Sequence, residues 1–453
     1  MRLLRLLLPA IVANFAATVG MSSPADPDTA RSQKSGYTIP VLFFLSPLLT
    51  AAVPQLTWLF LPLIAIALCI SFWRGGGDWR QLLQPNLAVG AVLLVVLYVV
   101  ISAIWAANRG AALEKGGLLL VMAVILLAAV RAIAVLDHAQ SSRAAFAFAA
   151  GAFFGAMFIL VELATDGAIT RHAINLMSLL KPKSSKFVAI SQGEVMEINP
   201  AQFRRSVTVL VSNFWPALLA LSAVTPRPRR TMLIALLTLA VAVAVLLSER
   251  ASSQVALLGS FVVFLFAWRF RRGAVRALAV LWCLAFVLVL PLVFAAYKAE
   301  LHMMSWLPDS ARARVILWEF TAERTLERPW LGIGAASTSK LRESRAVAEQ
   351  PEGFIFPRNT GQHAHNLFLQ SWYEIGVVGA VLMALAGLAL LLRIPLLPWE
   401  AQPYAVATFA AFAGGITLAG GIWQTWLMGA VGLMLLYLQI AATARAPEPR
   451  LNS

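Results

Sequence analysis

Charge is what this chain has least of. Only 13% of its 453 residues are Asp, Glu, Lys or Arg, where a soluble domain carries about 25%. Acids are the scarcer sign, 21 against 36 Lys+Arg, and there are two cysteines and five histidines. So few charges cannot cover a water-facing surface, which excludes a soluble enzyme, a DNA-binding module and a disordered scaffold. Cys69 and Cys283 lie far apart inside apolar runs, so no disulfide framework is expected. No His-Glu-x-x-His occurs, and the one Asp-x-Asp, Asp26-Pro27-Asp28, sits in a polar N-terminal stretch. No internal repeat is visible, which argues against a transporter built from inverted repeats.

What is present is apolar. Residues of the AVILMFWYC set make up 60% of the chain, and the mean hydropathy is +0.78. A hydrocarbon core takes about 20 apolar residues per helix, and runs of that kind fall near 38–54, 55–73, 86–106, 116–136, 144–164, 206–225, 231–248, 252–270, 274–297, 366–392, 402–421 and 423–442. The expected fold is an all-α polytopic membrane protein of about twelve transmembrane helices. The domain reading is an N-terminal cytoplasmic or interfacial segment, 1–37, a single transmembrane domain, 38–442, and a cytoplasmic tail, 443–453.

The net charge of +15 would suggest nucleic acid in a soluble protein. Here its placement has another cause. With both termini cytoplasmic, the inner loops hold Arg74 and Arg80; Arg131 and Arg143; Arg227, Arg229 and Arg230; Arg269, Arg271, Arg272 and Arg276; and the tail Arg445 and Arg450. Each short inner loop is then basic, as the positive-inside rule requires, and no nucleic-acid partner is expected. Residues 1–20 have a basic start and an apolar body, like a leader or an interfacial helix, and Met21 is an alternative start. They are read as non-spanning, because crossing would place Arg31 and Lys34 outside.

Two long segments remain on the outer face, about 165–205 and 298–365, where chemistry is expected because positioned loops carry it. The first holds Lys181, Lys183 and Lys186, then Asn199-Pro200 and Arg204-Arg205. The second opens at Pro308-Asp309-Ser310 and reads as an amphipathic helix up to Pro329, with Ala311, Val315, Leu317-Trp318 and Ala322 on its apolar stripe. That helix is expected to lie on the membrane face. Arg312 and Arg314 lie on it, and Arg250 joins the same face between two spans. Arg204, Arg205, Arg250, Arg312 and Arg314 are either snorkelling or solvated side chains or an anion site, since guanidinium groups match phosphate oxygens. A lipid-linked phosphate or diphosphate is the simplest ligand. Adjacent residues on a helix point about 100° apart, so at most one of Arg204 and Arg205 is expected to face such a site fully.

His363, His365 and Asn366 introduce the next apolar helix. A histidine there can accept a proton near neutral pH. Asn366 is equally suited to cap the helix. His-x-His also permits a metal, with His302 as a distant third ligand, but no acid stands beside it, and the expected metal and cofactor content is none. Glu162 near the outer end of its span raises a functional question, with placement at the interface the blander answer. Gly332-Ile-Gly334 signals a turn.

These residues resemble the bacterial O-antigen ligase and polymerase superfamily. His365-Asn366-Leu367 through Glu374-Ile375-Gly376 is similar to its His-Asn step into a helix with Glu-x-Gly. Arg314 to Trp318 and Pro329 to Gly334 are similar to its Arg-x-x-x-Trp and Pro-x-x-Gly-x-Gly stretches, Asn199-Pro200 to its Asn-Pro step, and Arg250 to its arginine after a span, although Glu249 stands where Ser or Thr is usual. The resemblance implies a GT-C-like fold and glycosyl transfer at the periplasmic face of the inner membrane without a nucleotide sugar. The donor would be O-antigen on undecaprenyl diphosphate, and the acceptor a sugar hydroxyl of lipid A-core. Arg204, Arg205, Arg250, Arg312 and Arg314 would hold the diphosphate, and His365 would act as general base in an inverting, metal-independent displacement, with His363 and Asn366 as secondary candidates. An O-antigen polymerase, a protein O-oligosaccharyltransferase and an anionic-lipid transporter remain as alternatives.

Overall fold

The computed structural model describes residues 37–82, 86–176, 188–191, 194–248, 250–341, 358–419 and 421–445. The N-terminal segment with Asp26 and Asp28, the lysines 181, 183 and 186, Glu249 and the end of the tail lie outside the described residues. Every expected span is a helix: α1 (Thr38–Ala52), α2 (Thr57–Arg74), α3 (Leu87–Ile101), α4 (Arg109–Ala134), α5 (His138–Ala164), then, after a short α6 (Ala168–Leu176), α7 (Arg204–Val224), α8 (Arg227–Leu247), α9 (Ala251–Arg269) and α10 (Arg271–Lys298). After the more polar α11 (Asp309–Glu327) come α12 (Leu367–Leu391), α13 (Gln402–Ala419) and α14 (Thr425–Thr443). Among the described residues ten helices are long and apolar enough to cross a membrane. The other two expected spans are α1, apolar but 15 residues long, and α13. The protein is a multi-pass, all-α membrane protein.

Two helices begin earlier than their apolar runs. Asn108 accepts from the amide of Ala111 at 2.9 Å and Asp137 from that of Gln140 at 2.6 Å. These caps satisfy first-turn amides and draw the polar residues 109–115 and 138–143 into α4 and α5. Hydropathy alone is blind to that.

α7 is the central helix. Of its most apolar stretch 83% is buried, against 22% for α4, and it packs on α5, α14, α13 and α8. Small residues let neighbours approach closely: on α5 a methyl at Gly151 would lie 2.1 Å from the carbonyl oxygen of Phe44 on α1. Such small-residue contacts are how helices pack where lipid supplies no hydrophobic drive. α9 and α10 instead expose Leu258, Val262, Leu265, Leu281, Val287 and Leu292. In water these faces would cost about 25 cal/mol per Å²; against acyl chains they cost nothing.

One end of the bundle carries both long segments. In the first, the antiparallel strands β1 (Val188–Ser191) and β2 (Glu194–Ile198) form a hairpin that the sequence reading did not foresee. Asn175 of α6 ties it down by accepting from and donating to the backbone of Val195. Glu162, fully buried at the end of α5, accepts from the amide and hydroxyl of Thr170, both at 2.7 Å. Its structural task is to start α6. In the second segment, α11 occupies its expected place but packs on α10 and α12, burying Val315, Ile316, Phe320 and Ala322. Its apolar face therefore meets protein.

Candidate functional site

The site is built on a tight junction between a loop and a kink. In α12, Gly376 leaves the helical path at φ 65°, ψ −173°, a left-handed conformation that only glycine adopts without strain. The loop 329–338 fits into that kink. Val377 N donates to Pro329 O at 2.8 Å and Ile333 N to Tyr373 O at 3.2 Å. A methyl on Gly376 would lie 2.2 Å from the oxygen of Trp330, and one on Gly332 would lie 2.6 Å from the carbonyl of Glu374. Two glycines from distant parts of the chain are thus required for one contact. On its other side the loop is strapped to the turn between α3 and α4, through Ala107 N to Ile333 O at 2.8 Å and Trp105 Nε1 to Leu331 O at 3.0 Å.

Glu374 holds the same junction from below. Its fully buried carboxylate accepts from the amides of Ala336 and Thr338, both at 3.2 Å, from the Thr338 hydroxyl, and from the Trp423 indole. A buried carboxylate without such donors would be far too costly. The Glu-x-Gly pair therefore fixes three chain segments about two turns into α12.

The histidine segment is pinned from two directions. Trp318 on α11 donates its indole proton to Ala364 O at 2.7 Å. Arg358 donates to Glu319 at 3.2 Å and to Glu323 at 2.7 Å on the same helix. Asn366 caps α12, accepting from the amides of Phe368 and Leu369 at 3.0 and 3.2 Å, so its expected capping role is met. Between these anchors His365 stands at φ 52°, a conformation few non-glycine residues adopt and one that costs about 1–2 kcal/mol. Its ring centroid lies 4.2 Å from that of His363. Its buried Nδ1 has no hydrogen-bond partner among the described residues.

Arginines meet these histidines. Asn199 accepts from Ala201 N at 2.8 Å, and Pro200 opens the short 3-10 turn that leads into α7, so the Asn-Pro step sets Arg204 and Arg205 at the head of that helix. Arg250, between α8 and α9, donates Nη1 to the backbone oxygen of Arg204 and Nε to Ser252 Oγ at 3.1 Å. Burial lowers Arg250 to about 10, helped by the charges of Arg204, Arg314 and Arg205. Arg314 is lowered by burial and by Arg204. His363 is lowered by burial and by Arg205. His365 is lowered to about 3 by burial, then by His363, Arg314 and Arg250. Among the described residues no carboxylate pairs with Arg204, Arg205 or Arg314. Like charges gathered without an acid repel one another, and an anion relieves them.

The candidates divide accordingly. The structure brings Arg204, Arg205, Arg250, Arg314, His363 and His365 together. Both adjacent arginines bear on the cluster, by different routes: Arg204 acts on Arg250 and Arg314, whereas Arg205 lies 5.8 Å from the Trp426 ring and acts on His363. Their divergence on the helix turns them toward different neighbours. Arg312 is turned away, with Nε donating to His302 O at 2.9 Å and Nη1 to Asp309 at 3.3 Å. His302 stacks on Tyr297 at 4.5 Å, and no group of three or more metal-ligating side chains occurs among the described residues. Sequence reasoning overlooked Arg358 and Trp318 as anchors of the histidine segment. The Arg-x-x-x-Trp spacing pointed to Trp318, but its partner is a backbone oxygen that no motif records.

A cavity of about 390 Å³ adjoins His363, lined also by Lys115, Lys340, Gln362, Gln370 and Glu374. It opens at the same end of the bundle.

Comparison with known proteins agrees with the resemblance. Residues 234–384 match the family model described as O-Antigen ligase, a stretch that contains Arg250, Arg314, His363, His365 and Glu374 but not Arg204 or Arg205. A protein of Rickettsia conorii, named provisionally as a polysaccharide ligase, is 27% identical over 132 residues, which is 28% of this chain and 31% of the relative. The alignment thus spans about a third of that relative's length.

Proposed function

We propose that this protein, whose residues 234–384 match the family model described as O-Antigen ligase, is a glycosyltransferase of the inner membrane. In this reading it moves O-antigen polysaccharide from undecaprenyl diphosphate to a sugar hydroxyl of lipid A-core. Both termini are cytoplasmic, and the arginine–histidine end of the bundle faces the periplasm. The observation that carries the reading is the cluster in which Arg250 bonds the Arg204 carbonyl and gathers with Arg205 and Arg314 beside the adjoining rings of His363 and His365, a desolvated anion site with an uncharged imidazole at its edge.

The diphosphate binds the guanidinium groups, which neutralise the charge that grows as the glycosyl–phosphate bond breaks. The acceptor oxygen attacks the anomeric carbon, its proton passes to His365, and the bonding pair leaves with the diphosphate. Diphosphate is a good leaving group and needs no general acid. A single displacement inverts the anomeric configuration; a product of retained configuration would rule it out. No metal or other cofactor enters the step, so chelation of divalent cations is expected to leave transfer unchanged. Arg312 is assigned to holding the start of α11 rather than to the diphosphate.

A polymerase would use the same donor with a second lipid-linked glycan as acceptor. A protein O-oligosaccharyltransferase would transfer to Ser or Thr. An anionic-lipid transporter would use the arginines but give His365 no task. Lipopolysaccharide from a deletion strain separates these readings. Naked lipid A-core with polymer stranded on its carrier supports the ligase, core bearing one repeat unit indicates a polymerase, and an unchanged ladder rejects both.

A further inference from the structure

The end of the bundle away from the arginine–histidine site carries a second gathering of cations, which the transfer reading leaves without a task. α9 starts beside Arg250 and runs 19 residues to Arg269. That is about 28 Å of helix, close to the depth of a hydrocarbon core, about 30 Å. Arg269, Arg271, Arg272 and Arg276 stand at its far end and on the first turns of α10, and Arg393 follows the last turn of α12. Packing brings these two connections together. Trp282 of α10 donates its indole proton to Ala384 O at 3.1 Å and lies against Gly387 of α12. Six residues from that contact along each antiparallel helix, Arg276 and Arg393 come to the same level. Arg271 Nε then donates to Trp399 O at 3.1 Å, tying the α9–α10 turn to the α12–α13 connection.

The charge on these connections is uncompensated. No Asp or Glu stands in 262–278 or 391–399, and Glu400, the next residue, pairs with Arg445. Among the described residues no carboxylate pairs with Arg269, Arg271, Arg272, Arg276 or Arg393. Arg271 and Arg272 open α10, where the helix dipole disfavours cations. Arg271 is also fixed in place. Its guanidinium lies 4.0 Å from the Trp399 ring centroid and 5.9 Å from that of Trp268, within cation–π range. Both indoles are exposed, as are Leu392 and Leu396 beside Arg393. The positive-inside rule asks only for basic charge at this end; it accounts for neither the indole clamp nor the apolar rim.

We propose that this surface is a binding site for an anionic phospholipid. The headgroup phosphate sits on Arg271 with Arg276 and Arg393, and the acyl chains run along Leu392 and Leu396 into the bilayer. Guanidinium groups match phosphate oxygens, and basic pockets between spans are where acidic headgroups bind. The apolar rim decides among anions. A nucleic acid or an acidic protein would leave Leu392, Leu396 and both indoles without a partner, and a second copy of this chain would bring the same arginines against these. The site lies across the bilayer from His365 and does not depend on the transfer reading.

The test uses the purified full-length protein in detergent, with bound lipid counted by native mass spectrometry. Phosphatidylglycerol and zwitterionic phosphatidylcholine with the same acyl chains are the probes. The wild type is expected to prefer phosphatidylglycerol by about tenfold or more, and the preference to shrink as salt rises. One arginine near an anionic headgroup contributes about fivefold. Arg271→Gln with Arg393→Gln should therefore weaken phosphatidylglycerol about 25-fold and leave phosphatidylcholine unchanged. Arg271→Lys keeps the charge but loses the planar stack on Trp399, so its loss is expected to be smaller. The control removes equal charge from the basic turn between α7 and α8 at the same end of the bundle, Arg227→Gln with Arg229→Gln, and should keep near wild-type affinity. Arg276 and Arg393 are exposed, so Arg276→Gln with Arg393→Gln keeps the test decisive if the Arg271 variants fold poorly. Equal losses in the test and control variants would reduce the site to general surface attraction and overturn it, as would equal affinity of the wild type for the two lipids. Displacement of phosphatidylglycerol by polyglutamate of matching charge would assign the surface to an acidic protein and overturn the lipid site.

Discussion

The rings of His363 and His365 lie 4.2 Å apart at an interplanar angle of 48°, and the two residues look onto different chemistry. His363 borders a cavity lined by amides and by both lysines and glutamates, Lys115 and Lys340 with Glu114 and Glu374. His365 is the one on which Arg250 and Arg314 act. Four predictions follow from this arrangement and from the junction that supports it.

His365→Asn separates the base from the backbone. Asparagine tolerates a positive φ better than most residues, so the strained turn before α12 survives while the imidazole is lost. Transfer in reconstituted vesicles is expected to fall by about 10²–10⁴-fold, with protein level and thermal stability near those of the wild type. Activity retained within a few-fold would end the general-base assignment.

The pH profile should report the arginines. In the empty site His365 is lowered to about 3, by burial first and then by His363, Arg314 and Arg250. The neutral imidazole is the active form, so activity is present above its pKa and lost as the pH falls through it. Bound diphosphate cancels the two arginine contributions, which raises the pKa in the complex. The acid limb of kcat, which reports the complex, is therefore expected at higher pH than the acid limb of kcat/KM, which reports the free enzyme. Coincident limbs would show that the donor does not sit against these arginines.

Arg250 should act by charge and by shape. Arg250→Gln is expected to weaken undecaprenyl diphosphate binding about 10–100-fold, the equivalent of one or more lost charge-assisted hydrogen bonds. Arg250→Lys keeps the charge but loses the fixed fork that reaches the Arg204 carbonyl and Ser252, so an intermediate loss is expected. Titration of the purified protein with the lipid diphosphate measures both, and wild-type affinity in Arg250→Gln would remove this residue from the site.

Gly376→Ala tests the junction without touching the chemistry. The new methyl meets the Trp330 carbonyl at 2.2 Å and occupies a left-handed conformation. Backbone strain of about 1–2 kcal/mol and overpacking of about 1–3 kcal/mol act together. A clear fall in thermal stability is expected, together with lost transfer activity. A variant as stable as the wild type would mean that the loop 329–338 does not depend on the kink.

Much of the membrane architecture was legible in advance because hydropathy is a local property. All twelve apolar runs are helices, and the pause at Pro329 does end α11. Legibility failed where a side chain's partner is a distant backbone atom. The early starts of α4 and α5 come from capping by Asn108 and Asp137, which a hydropathy window averages away. The hairpin β1–β2 depends on Asn175. The five arginines looked equivalent as residues facing one side. Only the fold separates Arg312, committed to Asp309 and the carbonyl of His302, from Arg314 one half-turn further on.

The sequence by itself determined that the chain crosses a membrane repeatedly, because apolar run length does not depend on distant contacts, and residue type alone singled out the arginines and histidines of the long segments as candidates. The tertiary structure alone decided which of those residues meet. Arg204, Arg250, Arg314 and His365 belong to four separate segments, and what brings them together is the packing of α7, α9, α11 and α12 at one end of the bundle. The close approach of Gly332 to Gly376 is likewise a property of two surfaces, and neither surface exists until the chain has folded.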